Sequence, residues 1–96
     1  YAERHGAAAV GVNCCALDAA TRVLPRMVAA ARTPVMVRPN AGDPMPAEDG
    51  SPVWHEDPEA FARACRAWRA GGARLVGACC GATACTTAAM ADALER

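Results

Sequence analysis

Three times along the chain, a short apolar run is followed by a longer stretch whose apolar residues recur at helical spacing. Short runs rich in β-branched residues are typical of buried strands, whereas apolar residues three or four positions apart favour a helix. The resulting β-α-β-α-β-α order predicts a parallel sheet, because a helical crossover joins each strand to the next. We therefore expect an α/β fold in which the first and third strands flank the second.

The same pattern sets bounds for the elements. We expect strands at 7–13, 34–38 and 74–78, helices at 17–32, 58–70 and 83–95, and the tail of a helix at 1–6 closed by Gly6. Asp57 and Thr83 are the expected caps of the second and third helices, and Asp18 that of the first. Pro25 is expected in or near a first helical turn, because proline deep inside a helix costs about 3 kcal/mol. The segment 39–56, rich in Pro, Gly and Asp, is expected to be a functional loop.

Composition narrows the class of protein. The 96 residues are 53% hydrophobic and carry no formal net charge, which predicts a soluble globular chain without a nucleic-acid partner. No apolar run approaches the roughly 18–20 residues of a membrane span, and we see no secretory leader. Six cysteines within regular βα patterning favour a reduced, cytoplasmic setting with some thiols on a metal. A start at Tyr1, in mid-pattern, suggests a piece of something longer.

Cysteines stand at the ends of two predicted strands. Cys14 ends the first, and Cys79 and Cys80 end the third, just before Gly81, which permits a turn. In α/β folds the chemistry gathers at the carboxyl ends of the strands. Strands two apart are separated by about 10 Å, which two cysteine side chains and two Zn–S bonds of about 2.3 Å can bridge. We therefore predict a Zn²⁺ site with an open fourth position, typical of catalytic zinc.

Other readings of these residues stay open. Buried cysteines often serve only as small hydrophobic residues, and the cluster could be such packing. Cys15 is either a spare thiol beside the metal or a packed side chain, and Cys65 and Cys85 are expected on helices, packed or partly exposed. His55 is expected at the surface. Asn40, after the second strand, either binds substrate or ties down its own turn.

Three motifs, at 11–14, 39–42 and 77–81, resemble those of the zinc-dependent homocysteine S-methyltransferases. That family includes the homocysteine-binding module of cobalamin-dependent methionine synthase and the betaine-using enzymes. The resemblance runs along essentially the whole chain. It implies that residues 1–96 are the C-terminal portion of a (β/α)₈ TIM barrel, the last three of its units, and incomplete alone. Cys14, Cys79 and Cys80 match the family's three zinc ligands.

The implied reaction is methyl transfer to the thiolate of homocysteine, giving methionine. The implied partners are homocysteine, a methyl donor, and the remaining barrel units or a partner domain. The donor is left open: cobalamin or methyl-folate on a separate domain, betaine, S-methylmethionine or S-adenosylmethionine. Where the family usually has Gly, Thr and Pro, this chain has Ala78, Ala82 and Ala84, and none of these removes a ligand. The alternatives are a non-catalytic thiol-zinc or redox module, and a packed α/β fragment without metal.

Overall fold

The computed structural model describes residues 1–95 of the chain. It is an α/β structure with a parallel sheet of three strands, three α-helices and a small second sheet. In chain order, the elements are a 3₁₀ turn Glu3–His5, β1 Val10–Asn13, α1 Leu17–Ala30, β2 Val35–Arg38, β3 Pro44–Pro46, β4 Pro52–Trp54, α2 Pro58–Ala70, β5 Ala73–Val76 and α3 Ala84–Glu95.

The main sheet has the predicted arrangement. The middle strand β2 pairs in parallel with β1 on one side and with β5 on the other. Between β2 and β5 the register shifts, because Val35 is opposite Ala73 whereas Met36 is opposite Leu75. An extra residue of this kind increases the local twist of a strand. Because all three strands are parallel, their carboxyl ends lie along one edge of the sheet.

One face of this sheet is covered by the helices. Val35 and Val37 of β2 are buried there, as the alternation of side chains along a strand requires. Phe61 and Trp68 of α2 pack edge to face, with ring centroids 5.6 Å apart. The indole N–H of Trp68 donates to the Thr21 hydroxyl at 2.8 Å, so its polar group is satisfied within the core.

The opposite face of the sheet is open in the described part of the chain. Met36 and Leu75 share this face, because the register shift places them opposite each other in neighbouring strands. Leu75 is 48% exposed, an unusual state for a leucine on a strand. Gly11 on β1 lets the backbones approach, since a Cβ there would lie 2.3 Å from the Met36 carbonyl oxygen.

The helix starts follow the prediction at two of three places. Asp57 caps α2 by accepting from the backbone N–H of Ala60 at 3.0 Å, and Thr83 accepts from that of Cys85 at 3.1 Å. The prediction for Asp18 was wrong: α1 begins after Ala16 without a side-chain cap. Asp18 instead pairs with Arg22 at 3.4 Å on the exposed side of the helix.

Pro25 also lies elsewhere than predicted, well inside α1 rather than in a first turn. Proline there removes one backbone hydrogen bond and crowds the preceding turn, at a cost of about 3 kcal/mol. Ala20 and Leu24, on the same helix, are buried in the core. Their packing offsets the cost, which a reading of local propensity does not include.

The segment 39–56 is more ordered than the expected loop. Its strands β3 and β4 form an antiparallel hairpin in which Met45 lies opposite Val53. In its turn, the Asp49 carboxylate accepts from the backbone N–H and the hydroxyl of Ser51, which lowers the pKa of Asp49. The hairpin was not predicted from the sequence, because both of its strands contain proline and proline usually argues against a strand.

Residues 1–6 form a 3₁₀ turn at Glu3–His5, and Gly6 closes it with φ 90°. The Glu3 carboxylate accepts from the backbone N–H of Arg32 and Thr33 and from the Thr33 hydroxyl. These bonds, the Thr33 hydroxyl first among them, lower the pKa of Glu3. They also explain why α1 ends at Ala30, before the predicted Arg32.

Candidate metal centre

The three cysteines at the strand ends converge on one point. The sulfur atoms of Cys14, Cys79 and Cys80 all lie within 4.8 Å of one another. The sulfurs of Cys79 and Cys80 are 4.0 Å apart, and those of Cys14 and Cys79 are in direct contact, with the Cα atoms of these two residues 5.7 Å apart. These two are 65 positions apart in sequence, so the fold creates the cluster.

A short segment after β2 holds the two cysteine pairs in place. Residues 38–41 run between Cys14-Cys15 on one side and Cys79-Cys80 on the other. The backbone bonds are Cys14 N–H to Arg38 O (3.2 Å), Asn40 N–H to Cys15 O (2.9 Å), Cys79 N–H to Pro39 O (2.8 Å) and Ala41 N–H to Cys80 O (2.9 Å). The backbone of each of these four cysteines is therefore hydrogen-bonded to residues 38–41.

Two left-handed residues direct the sulfurs. Cys14 itself has φ 55°, a conformation that costs a non-glycine residue about 1–2 kcal/mol. Gly81, directly after the second pair, has φ 83°. A Cβ at Gly81 would lie 2.6 Å from the ring of Trp54, so this glycine is required by its backbone and by its neighbour.

The residues present fit a zinc ion. In a tetrahedral site with Zn–S bonds of about 2.3 Å, neighbouring sulfurs are about 3.8 Å apart. The 4.0 Å between the sulfurs of Cys79 and Cys80 is close to this value. Ligation by Cys14 and Cys79 requires the reduced, deprotonated thiols, because zinc binds the thiolate form.

Asn40, in the segment between the two cysteine pairs, carries an unsatisfied polar atom. The side-chain oxygen of Asn40 is buried and has no hydrogen-bond partner within residues 1–95. Such an atom costs about 1–3 kcal/mol when left unpaired in the interior. The backbone N–H of the same residue donates to the Cys15 carbonyl, so Asn40 belongs to the segment that contacts both cysteine pairs.

A second cluster, formed by Glu56, Thr83 and Thr86, lies at the start of α3 and was not predicted from the sequence. The Glu56 carboxylate accepts from the hydroxyls of Thr83 and Thr86 at the start of α3. These bonds, that of Thr86 foremost, lower the pKa of Glu56. The sequence carries no local signal that marks Glu56, among the acids of its segment, as the partner of these threonines.

The remaining candidates lie outside the sulfur cluster. Cys15 is half-buried against the core, and Cys85 and His55 are exposed. Cys65 is fully buried on α2, where desolvation raises the pKa of its thiol to about 11. A thiol of this kind is chemically inert, as expected for a packing residue.

Fold and site together define a class: an α/β protein with a three-thiol candidate metal centre at the carboxyl edge of a parallel sheet. Within that class, the chain belongs to the homocysteine S-methyltransferase family, whose family model matches residues 1–94. It is 36% identical over 85 residues to a homocysteine S-methyltransferase of Escherichia coli K12, covering 85% of this chain and 27% of that protein.

A solved structure gives the same result. The fold is similar to the crystal structure of the homocysteine methyltransferase MmuM from Escherichia coli in its oxidised form, with a TM-score of 0.66 and 30% sequence identity. The match covers 98% of this chain and 26% of that one. The chain therefore spans about a quarter of the length of the relatives it matches. In residues 1–95, every helix is too short or too polar to cross a bilayer.

Proposed function

We propose that this chain contributes the metal-binding part of an enzyme that transfers a methyl group to the thiolate of homocysteine and yields methionine. The observation that carries the proposal is the sulfur cluster of Cys14, Cys79 and Cys80, with all three sulfurs within 4.8 Å of one another. The family match over residues 1–94 supports homocysteine as the methyl acceptor.

The architecture proposed for the complete enzyme is a (β/α)₈ TIM barrel to which these residues contribute the sixth, seventh and eighth units. Within residues 1–95, β1 and β5 each pair with β2 alone, and unpaired edges are normally covered. The exposed Leu75, on the face away from the helices, would then lie in the barrel interior. The remaining units, or a partner domain, would cover these edges, and the 96 residues alone would be inactive.

In the reduced site, Cys14, Cys79 and Cys80 would hold Zn²⁺ as three thiolates and leave one tetrahedral position to the substrate. The ion would supply a Lewis acid that keeps a bound thiol deprotonated near neutral pH. The substrate thiol needs such activation, because a free thiol with a pKa of about 8.5 is only about 3% ionised at pH 7. Three anionic sulfurs around the site would keep the substrate sulfur electron-rich enough to attack a methyl group.

Asn40 is the proposed substrate contact. Its buried side-chain oxygen has no partner among residues 1–95 and can only accept a hydrogen bond. The ammonium group of homocysteine is a donor of the right kind, and binding it would remove the penalty of the unpaired oxygen. The methyl donor, whether cobalamin or methyl-folate on another domain or a small methylated compound, would make its contacts outside these residues. A reducing, cytoplasmic compartment would keep the thiols available.

The test is metal binding by the chain after reduction. We expect about one zinc per chain by elemental analysis, as a single three-thiolate site requires. Adding homocysteine is expected to change the first shell seen by X-ray absorption from three sulfurs to four. Absence of bound zinc from the reduced, folded chain would overturn the proposal.

A second candidate is a thiol-zinc or redox module without methyl transfer, because a cluster of three sulfurs within 4.8 Å of one another would serve such a module as well. The same spectra separate the two. A zinc site whose sulfur count stays the same when homocysteine is added would support the non-catalytic module. A fourth sulfur from homocysteine would support the methyltransferase.

A further inference from the structure

A carboxylate from the hairpin segment is bound at the start of α3. Glu56 is half-buried, and its two oxygens lie 2.7 and 2.8 Å from the Thr83 hydroxyl; one of them also accepts from the Thr86 hydroxyl. These contacts span 27 and 30 residues of sequence. They join the end of the hairpin to the helix that follows the cysteine pair.

Both hydroxyls need this carboxylate as their acceptor. The Thr83 oxygen already accepts from the backbone N–H of Cys85 at 3.1 Å, and the Thr86 oxygen accepts from that of Thr83 at 3.3 Å. Each hydroxyl has a single proton, and both protons point to Glu56. The negative charge also lies at a helix N-terminus, where the backbone dipole favours it.

The Cys79–Ala82 turn lies between this contact and the middle strand. On the strand side, Cys79 donates to Pro39 at 2.8 Å. Within the turn, the backbone N–H of Ala82 donates to the Cys79 carbonyl at 3.2 Å. Thr83 follows directly, so the Glu56 contact fixes the only end of the turn that the sheet does not hold.

We infer that Glu56 is a positioning residue for the Cys79–Cys80 ligand pair, acting through Thr83 and the Cys79–Ala82 turn. The inference deepens the proposed function, since it assigns a role toward the proposed metal. Partners that orient ligands from outside the coordination shell typically change metal affinity by about 10–100-fold when they are removed. Glu56 contacts Thr83 rather than a cysteine of the cluster. We therefore expect the change in metal affinity to lie near the lower end of that range.

The test compares two variants that make the same charge change in the same segment. Glu56→Gln keeps the size of the side chain but has one acceptor oxygen for two hydroxyls. Glu48→Gln changes an exposed acid in the hairpin turn and is the control. We expect the reduced Glu56→Gln chain to bind Zn²⁺ about 10-fold more weakly in competition with a chromophoric chelator, and Glu48→Gln to match the parent.

Two further readouts separate positioning from mere stability. With Co²⁺ in place of Zn²⁺, the thiolate-to-metal absorption of Glu56→Gln should change in energy or intensity. In the metal-free reduced chain, alkylation rates of Cys79 and Cys80, mapped by mass spectrometry, should change while that of Cys15 does not. A lower free energy of unfolding with unchanged zinc affinity, cobalt spectrum and alkylation rates would overturn the inference.

The outcomes also distinguish this inference from the proposed function. A parent chain that binds no metal would contradict the proposed function, and the alkylation rates alone would then decide on Glu56. If Glu56→Gln fails to fold by circular dichroism, Glu56→Asp serves instead, because it keeps the charge and withdraws the oxygens by one methylene. A zinc affinity of Glu56→Asp equal to that of the parent would overturn the inference.

Discussion

The two adjacent cysteine pairs differ in where the chain turns. At Cys14-Cys15 the left-handed residue is the first cysteine, with φ 55°, and only that cysteine belongs to the sulfur cluster. At Cys79-Cys80 the left-handed residue is Gly81, after the pair, and both sulfurs belong to it. Neighbouring side chains normally point to opposite sides of an extended chain. The position of the left-handed residue therefore decides whether a cysteine pair supplies one sulfur or two to the cluster.

The strongest way to break this comparison is to remove the second cysteine of each pair. Cys80→Ser takes away a proposed thiolate ligand, whereas Cys15→Ser changes a half-buried side chain that packs on the core. We expect the zinc affinity of reduced Cys80→Ser to fall by more than about 100-fold, beyond the effect of partners outside the coordination shell. Cys15→Ser should keep the parent affinity, measured by chelator competition.

The opposite ranking would contradict the comparison. A Cys15→Ser chain with weak zinc binding beside a Cys80→Ser chain that binds normally would place the site on the first pair. Circular dichroism on both variants serves as the folding control.

A smaller effect is expected from the turn itself. Gly81 and Gly50 share φ 83°. A Cβ at Gly81 would lie 2.6 Å from Trp54, whereas a Cβ at Gly50 would have no described atom within 4 Å. Gly50→Ala should cost about 1–2 kcal/mol of unfolding free energy, for the left-handed backbone alone. Gly81→Ala should cost clearly more, because the Trp54 ring must also move.

Urea denaturation of both variants measures this difference. Equal losses of unfolding free energy for Gly81→Ala and Gly50→Ala would show that the contact with Trp54 is dispensable for the turn.

A further effect, visible only at alkaline pH, concerns a cysteine that belongs to neither pair. Burial raises the pKa of Cys65 to about 11, from an ordinary 9.0, so the folded chain holds this proton more tightly than the unfolded chain. The resulting stability is present below pH 9 and is lost as the pH rises toward 11. It amounts to at most about 3 kcal/mol, since one pKa unit corresponds to about 1.4 kcal/mol.

Denaturation of the reduced chain between pH 8 and 11 tests this assignment. Cys65→Ala should reduce the alkaline loss of stability, and Cys85→Ala, an exposed cysteine on α3, should leave it in place. Equal alkaline profiles for the parent and Cys65→Ala would contradict the burial argument.

Sequence patterns were sufficient for the sheet and for the meeting of the three sulfurs. Hydrophobic period and helix-start residues such as Asp57 are local signals, and parallel strands bring their carboxyl ends together by geometry alone. Zinc ligation and the substrate role of Asn40 stay predictions. Pro25 inside α1 and the hairpin at 44–54 could not be read locally, because tertiary packing overrides propensity there.

The role of Glu56 depends on a contact between residues about 30 positions apart. No local pattern marks one of several acids in a polar segment as the partner of two threonines. The unpaired side-chain oxygen of Asn40 could not be predicted either, since its lack of a partner among residues 1–95 depends on what the fold places around it.

The segment 38–41 touches all four cysteines of the two pairs, and this has a consequence for folding kinetics. Both outer strands must dock on the middle one before the sulfurs share a common neighbourhood, and contacts so distant in sequence form slowly. An incompletely folded chain consequently lacks the three-sulfur cluster. Binding of the proposed metal by the nascent protein would thus report that β5 has docked.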